Sequence, residues 1–178
     1  MEAQNHTEIA LSKNKLYLML SGTVLFVSMG VWFIINPPAS KHGLFSNPVL
    51  VVILGVVTIV FFGFLGFSIL RKLPDNKPGL IINGEGILDN SGPLAAGLIL
   101  WDDILGIRTI TISSQNMLEI AVKNPEEYIN RQSSFLKRKG MQGNYKMYGS
   151  PIYISANSLT VGFQELHDLI QKNLLSRK

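Results

Sequence analysis

Hydrophobic and polar positions are distributed along this chain in two different ways. Up to residue 70 they come in blocks. Residues 16–35, LYLMLSGTVLFVSMGVWFII, and residues 49–70, VLVVILGVVTIVFFGFLGFSIL, contain no Asp, Glu, Lys, Arg or His. At 1.5 Å rise per residue, twenty apolar residues make a helix of roughly 30 Å, the thickness of a bilayer core. The pattern predicts two transmembrane helices. The first run exceeds the roughly 7–15-residue apolar core of a signal peptide, and Asn36-Pro37-Pro38 follows it instead of a small-residue cleavage site.

Residues 36–48, NPPASKHGLFSNP, join the two spans, so an antiparallel hairpin is expected. Lys41 is the only fixed charge of that loop, whereas Lys13 and Lys15 precede the first span and Arg71, Lys72 and Lys77 follow the second. Positive charge is retained on the cytoplasmic side of a membrane, which places both termini of a multi-pass chain in the cytoplasm. Small residues let membrane helices approach; Ser21 and Ser28 on the first span and Gly55, Gly63 and Gly66 on the second form the expected packing face, between the two helices or toward a second copy.

After the linker 71–78, RKLPDNKP, the blocks give way to short alternating runs. GLIIN (79–83), GILDN (86–90), LILW (98–101), ILGIRTITI (104–112), MLEIAV (117–122), PIYIS (151–155) and SLTV (158–161) read as strands. Between them, NPEEYINRQSSFLKRKG reads as one helix over residues 125–139. Asn124 caps it, Pro125 opens it, Glu126 and Glu127 sit in its first turn, Lys137 to Lys139 in its last, and Gly140 stops it. At 100° per residue Tyr128, Ile129, Gln132, Phe135 and Leu136 share its apolar face. MQGNYKMYG then reads as a loop. A final helix is expected at 163–175, with Phe163, Leu166, Leu169 and Ile170 on one stripe. Together these make an α+β domain over residues 79–178 behind a two-helix anchor, with residues 1–15 an N-terminal tail.

Charge and chemistry narrow the picture only a little. The chain holds 16 Lys and Arg, 12 Asp and Glu and no cysteine. Disulfides, thiolate nucleophiles and cysteine metal sites are thereby excluded, and the mild positive balance argues against nucleic acid. His6, His42 and His167 fall in the tail, the loop and the last helix, where they cannot assemble one metal site or triad. Asp102 and Asp103 read as turn residues, and Trp101 as packing. Nucleophile elbows, phosphate-binding glycine loops and zinc-protease signatures are absent. The reading is of a protein without catalysis or cofactor. What stands out is the basic group Arg131, Lys137, Arg138, Lys139 and Lys146, which has no acid among it. Two readings fit it: the wet side of a helix packed on the domain, or a patch facing anionic lipid headgroups or another membrane protein.

The segment from Leu100 to Ile107, with its Trp101-Asp102-Asp103 centre, and the last strand running into FQELHDLI resemble the bacterial pleckstrin-homology-like domains that follow one or two membrane spans. With NPEEYINRQSSFLKRK, NYKMYG and ISANSL included, the whole chain resembles a family of small two-span bacterial membrane proteins. The resemblance implies a small β barrel or sandwich with a helical insertion, plugged by the C-terminal helix; it brings no activity with it. Lipid-binding pleckstrin-homology domains carry basic residues in the first hairpin loop, where this chain has Asn83-Gly84-Glu85-Gly86, so phosphoinositide binding is not among the implications.

Overall fold

The structure is a computed structural model and describes residues 6–38, 46–112 and 114–177. Two units divide it: residues 13–75, and residues 1–12 together with 76–178. Lys41 and His42 lie outside the described residues.

Unit one is a hairpin of α1 (Lys13–Ile35) and α2 (Pro48–Lys72). Both helices are long and apolar enough to cross a membrane, and most of their large apolar side chains are exposed. Asn47 caps α2 by accepting from the Val49 amide at 2.9 Å, and Pro48 opens it with its fixed φ. At the other end the Lys13 ammonium donates to the carbonyls of Leu73 and of Asp75, the latter at 2.7 Å. These carbonyls lie just past the end of α2, where a cation also meets the negative end of the helix dipole. Both helices run further than the apolar blocks alone predict, α1 starting at Lys13 and α2 reaching from Pro48 to Lys72.

The helices meet at glycines. A Cβ built on Gly55 would lie 2.7 Å from the Gly30 carbonyl oxygen, and one on Gly66 would lie 2.9 Å from Thr23 Oγ1. Phe26 and Phe62 stack at 4.2 Å. Gly55 and Gly66 are therefore buried between the two helices. Gly63, Ser21 and Ser28 lie outside that contact: each is exposed, a Cβ on Gly63 would meet nothing within 4 Å, and the serines donate to the Tyr17 and Val24 carbonyls of their own helix at 3.0 and 2.9 Å. On α1, Thr23 and Gly30 are buried where these glycines approach, and Leu20, Phe33 and Ile34 line the same contact.

Unit two is α+β and holds two open antiparallel sheets. The first has the order β1 (Thr7–Ile9), β2 (Leu80–Ile82), β3 (Gly86–Asp89), β4 (Gly97–Leu100); the second has β5 (Ile104–Ile112), β6 (Gln115–Val122), β7 (Ile152–Ile154). No barrel closes among the described residues. A 3-10 turn at Trp101–Asp103 separates β4 from β5 and carries the chain from one sheet to the other. Strand β1 comes from the expected tail: Thr7, Glu8 and Ile9 lie opposite Ile82, Ile81 and Leu80, and Leu11 bridges to Leu159. Ile9 and Leu11 are buried, and their alternation with exposed Glu8 and Ala10 is the strand signature. Conversely, residues 158–161 are no strand. Ser155 caps a 3-10 turn at Ala156–Ser158 instead, accepting from the Asn157 amide at 3.2 Å, and Leu159 makes an isolated bridge to Leu11.

Leu80, Ile82, Ile87, Ile99, Leu118, Ile120, Ile152 and Ile154 form the buried heart of this unit. The last helix, α5 (Phe163–Leu175), adds Leu166, Ile170 and Leu174 and has the bounds its apolar stripe predicts. Phe163, also expected on that stripe, is only half-buried.

Candidate functional site

Residues 124–149 are where the structure departs furthest from the expected single helix 125–139. Two helices form, α3 (Pro125–Asn130) and α4 (Phe135–Tyr148). The break has a tertiary cause. Tyr128 is fully buried; its hydroxyl donates to Asp103 Oδ2 at 2.6 Å and accepts from the Leu100 amide at 3.3 Å. Burial, with the Asp103 hydrogen bond, pushes this phenol up to about 12. Gln132 is buried too, donating to the Ala96 carbonyl at 3.2 Å and to the Tyr128 carbonyl at 3.0 Å. Arg131 and Gln132 are committed to carbonyls of this unit, and Ser134, in extended conformation, begins a new helix.

Gly140, expected as a helix stop, lies inside α4. A Cβ there would come within 2.6 Å of a Leu94 methyl group, so glycine at this point lets α4 approach Leu94. The stop is Gly149 instead, left-handed at φ +88°, whose amide bonds the Tyr145 carbonyl at 3.0 Å. Arg108 from β5 donates to the last carbonyl of α4, that of Tyr148, at 3.2 Å. The same guanidinium pairs with buried Glu119 at 2.7 Å. Tyr153 is next across the sheet from Glu119, with its hydroxyl buried and unpartnered among the described residues. Burial and the Glu119 charge push the Tyr153 phenol up to about 12.

The basic group is split by this arrangement. Arg131 is spoken for by the domain: it donates to the Ala96 carbonyl at 2.9 Å and to the Leu98 carbonyl, and its guanidinium lies 4.0 Å from the Tyr128 ring centre. Lys137 and Arg138 are half-buried, while Lys139 and Lys146 are exposed on α4. Phe135 and Leu136 correct a second expectation. They do not continue the buried face of Tyr128, Ile129 and Gln132 but stand 63% and 62% exposed, joined by Met147 at 67%. The inward residue of α4 is Met141, fully buried.

The loop 83–86 is closed by other parts of the unit. Asn83 Oδ1 accepts from the Glu85 and Gly86 amides, its carbonyl accepts from Trp101 Nε1 at 2.8 Å, and Arg177 donates to the Gly84 carbonyl at 2.9 Å while lying 5.1 Å from the Trp101 ring. Asp103 serves Tyr128, Asp102 is exposed, and buried Asp89 accepts from the Ser91 amide, the Ser91 hydroxyl and the Ala96 amide. His167 contacts its neighbour Asp168 at 3.1 Å. Among the described residues no three His, Asp or Glu side chains gather into a group able to hold a metal ion. The surface that remains unexplained by the fold is the outer side of α4. No protein-family model, curated protein or solved structure matches the chain.

Proposed function

We propose that this is an integral protein of a bacterial inner membrane, anchored by the α1–α2 hairpin with both termini in the cytoplasm, whose pleckstrin-homology-like unit serves binding or scaffolding at the membrane surface. One observation carries the reading. The strand before the hairpin, β1, and the strand after it, β2, are neighbours in one sheet, so the side of the membrane that holds one must hold the other. Lys13, Lys15, Arg71, Lys72 and Lys77 flank the spans on that side, with Lys41 alone in the opposite loop, and this asymmetry favours the cytoplasm. The likeness to a pleckstrin-homology domain is supported by four strands, then three, then a helix with a buried apolar stripe. A binding role in preference to catalysis is supported by the structural employment of Asp89, Asp103 and Glu119.

Single cysteines at Lys41, Glu85 and Asp168 test the arrangement, since the chain has none of its own. In intact cells an impermeant maleimide should label Lys41→Cys only, and the other two should react after lysis. Labelling of Glu85→Cys or Asp168→Cys in intact cells would overturn the reading. A second role, as a structural subunit of a membrane complex or a homo-oligomer, is favoured by the small residues Ser21, Ser28 and Gly63 left exposed on the hairpin. A discrete dimer band from oxidised Gly63→Cys in native membranes would select it.

A further inference from the structure

We infer that the outer face of α4 is a docking surface for an anionic bilayer, with Phe135, Leu136 and Met147 entering the headgroup boundary and Lys139 and Lys146 meeting lipid phosphates. This rests on the anchored reading above and adds a specific contact to it. On a helix of 100° per residue, Phe135, Lys146, Lys139, Gly143, Leu136 and Met147 fall within an arc of roughly 120°, and Met141, the buried residue, lies opposite. The Lys139 ammonium is 5.7 Å from the Phe135 ring centre, so cation and apolar group occupy the same side. Most of this face is left to solvent: its three large apolar side chains are 62–67% exposed, while Met141 is fully buried and Gly140 approaches Leu94.

The occupant follows from charge and tether. Helix α4 carries Lys137, Arg138, Lys139 and Lys146 and no acid, which complements an anionic surface. Exposed apolar residues flanked by lysines are the composition that seats a helix in the plane of a membrane interface. Only residues 10–12 separate β1 from α1, and only 73–79 separate α2 from β2, so a bilayer holding the hairpin is presented to this unit at high effective concentration. Each lysine near an anionic surface favours the docked state by about fivefold, and two together by about 25-fold.

The test uses the full chain in liposomes, with one cysteine carrying an environment-sensitive fluorophore at Leu136, and doxyl-labelled lipids as quenchers. A label at Phe26, in α1, reports hairpin insertion, and one at Asp168, exposed on α5, reports water. With 30% phosphatidylglycerol the Leu136 label should shift to the blue and be quenched as the Phe26 label is, while the Asp168 label is not. Lys139→Gln with Lys146→Gln, or pure phosphatidylcholine, should restore an aqueous spectrum at Leu136. A quenched Phe26 label with an unquenched Leu136 label in anionic liposomes would overturn this inference alone and turn the face toward a protein partner. An unquenched Phe26 label would overturn the anchored reading on which it rests.

Discussion

Replacing Ile9 by alanine removes a buried side chain from a strand whose ladder partner lies beyond the α1–α2 hairpin. Ile9 is 3% exposed and lies opposite Leu80, itself fully buried. Truncating a buried isoleucine to alanine costs about 2–5 kcal/mol, less where the site can collapse. A three-residue strand at the edge of a sheet can partly relax, so about 2–3 kcal/mol is expected. That is a large share of the roughly 5–15 kcal/mol that holds a domain folded, and for a unit of this size it corresponds to a fall in Tm of about 10 °C. The full chain in detergent micelles is the material to use. Trp32→Phe leaves Trp101, buried between Asn83 and Arg177, as the sole tryptophan reporter. Glu8→Ala, an exposed change on the same strand, should stay within about 0.5 kcal/mol of the parent. Equal midpoints for Ile9→Ala and Glu8→Ala would refute the pairing of β1 with the sheet.

Three further outcomes follow from the same geometry. Tyr128 and Tyr153 have phenols pushed up to about 12; between pH 10 and 12 the unfolded chain loses these protons first, so stability falls as pH rises through that window. Melting curves from pH 9 to 11.5 should therefore drop steeply, and a Tyr128→Phe, Tyr153→Phe double variant should flatten them; an unchanged slope would contradict the assignment. Gly55→Leu should separate the hairpin helices, because its side chain would meet the Gly30 carbonyl, whereas Gly63→Leu should not; the yield of a disulfide between cysteines placed at Thr23 and Gly66 measures this, and equal yields would refute it. Arg131→Gln should cost about 1–2 kcal/mol of domain stability through its two carbonyl bonds and its stack on Tyr128 while leaving lipid quenching at Leu136 intact; lost quenching with an unchanged urea midpoint would reverse that assignment.

The parts of the fold legible in the sequence are those whose signal is long or strictly periodic: the apolar blocks of α1 and α2, the nine alternating residues of β5 and the stripe of α5. The parts that were not legible depend on distant partners. Strand β1 has only Ile9 and Leu11 to announce it, and its ladder partner is at residues 80–82, beyond the hairpin. Gly140 and Gly149 carry equal weight as helix stops until Leu94 is placed beside Gly140, which makes it a packing residue and leaves the stop to Gly149. The basic group was visible as composition, but Arg131 could be removed from it only once the Ala96 and Leu98 carbonyls were in view. Phe135 and Leu136 followed the periodicity of one uninterrupted helix; the Gln132 bonds that break it also turn these two side chains outward.

One sheet is built from chain on both sides of the apolar α1–α2 hairpin, and a cross-strand disulfide reports that pairing. Glu8 and Ile81 are Cα partners in the antiparallel register, within the roughly 4.5–5.5 Å of such pairs and therefore within reach of a disulfide. Leu88, opposite Ile81 on the next strand, is two strand spacings from Glu8, roughly 10 Å, and out of reach. Oxidation of the cysteine-free chain carrying Glu8→Cys and Ile81→Cys in native membranes should give an intramolecular bond, and the Glu8→Cys, Leu88→Cys pair should not. Equal crosslinking of both pairs, or of neither, would contradict a sheet that spans the hairpin.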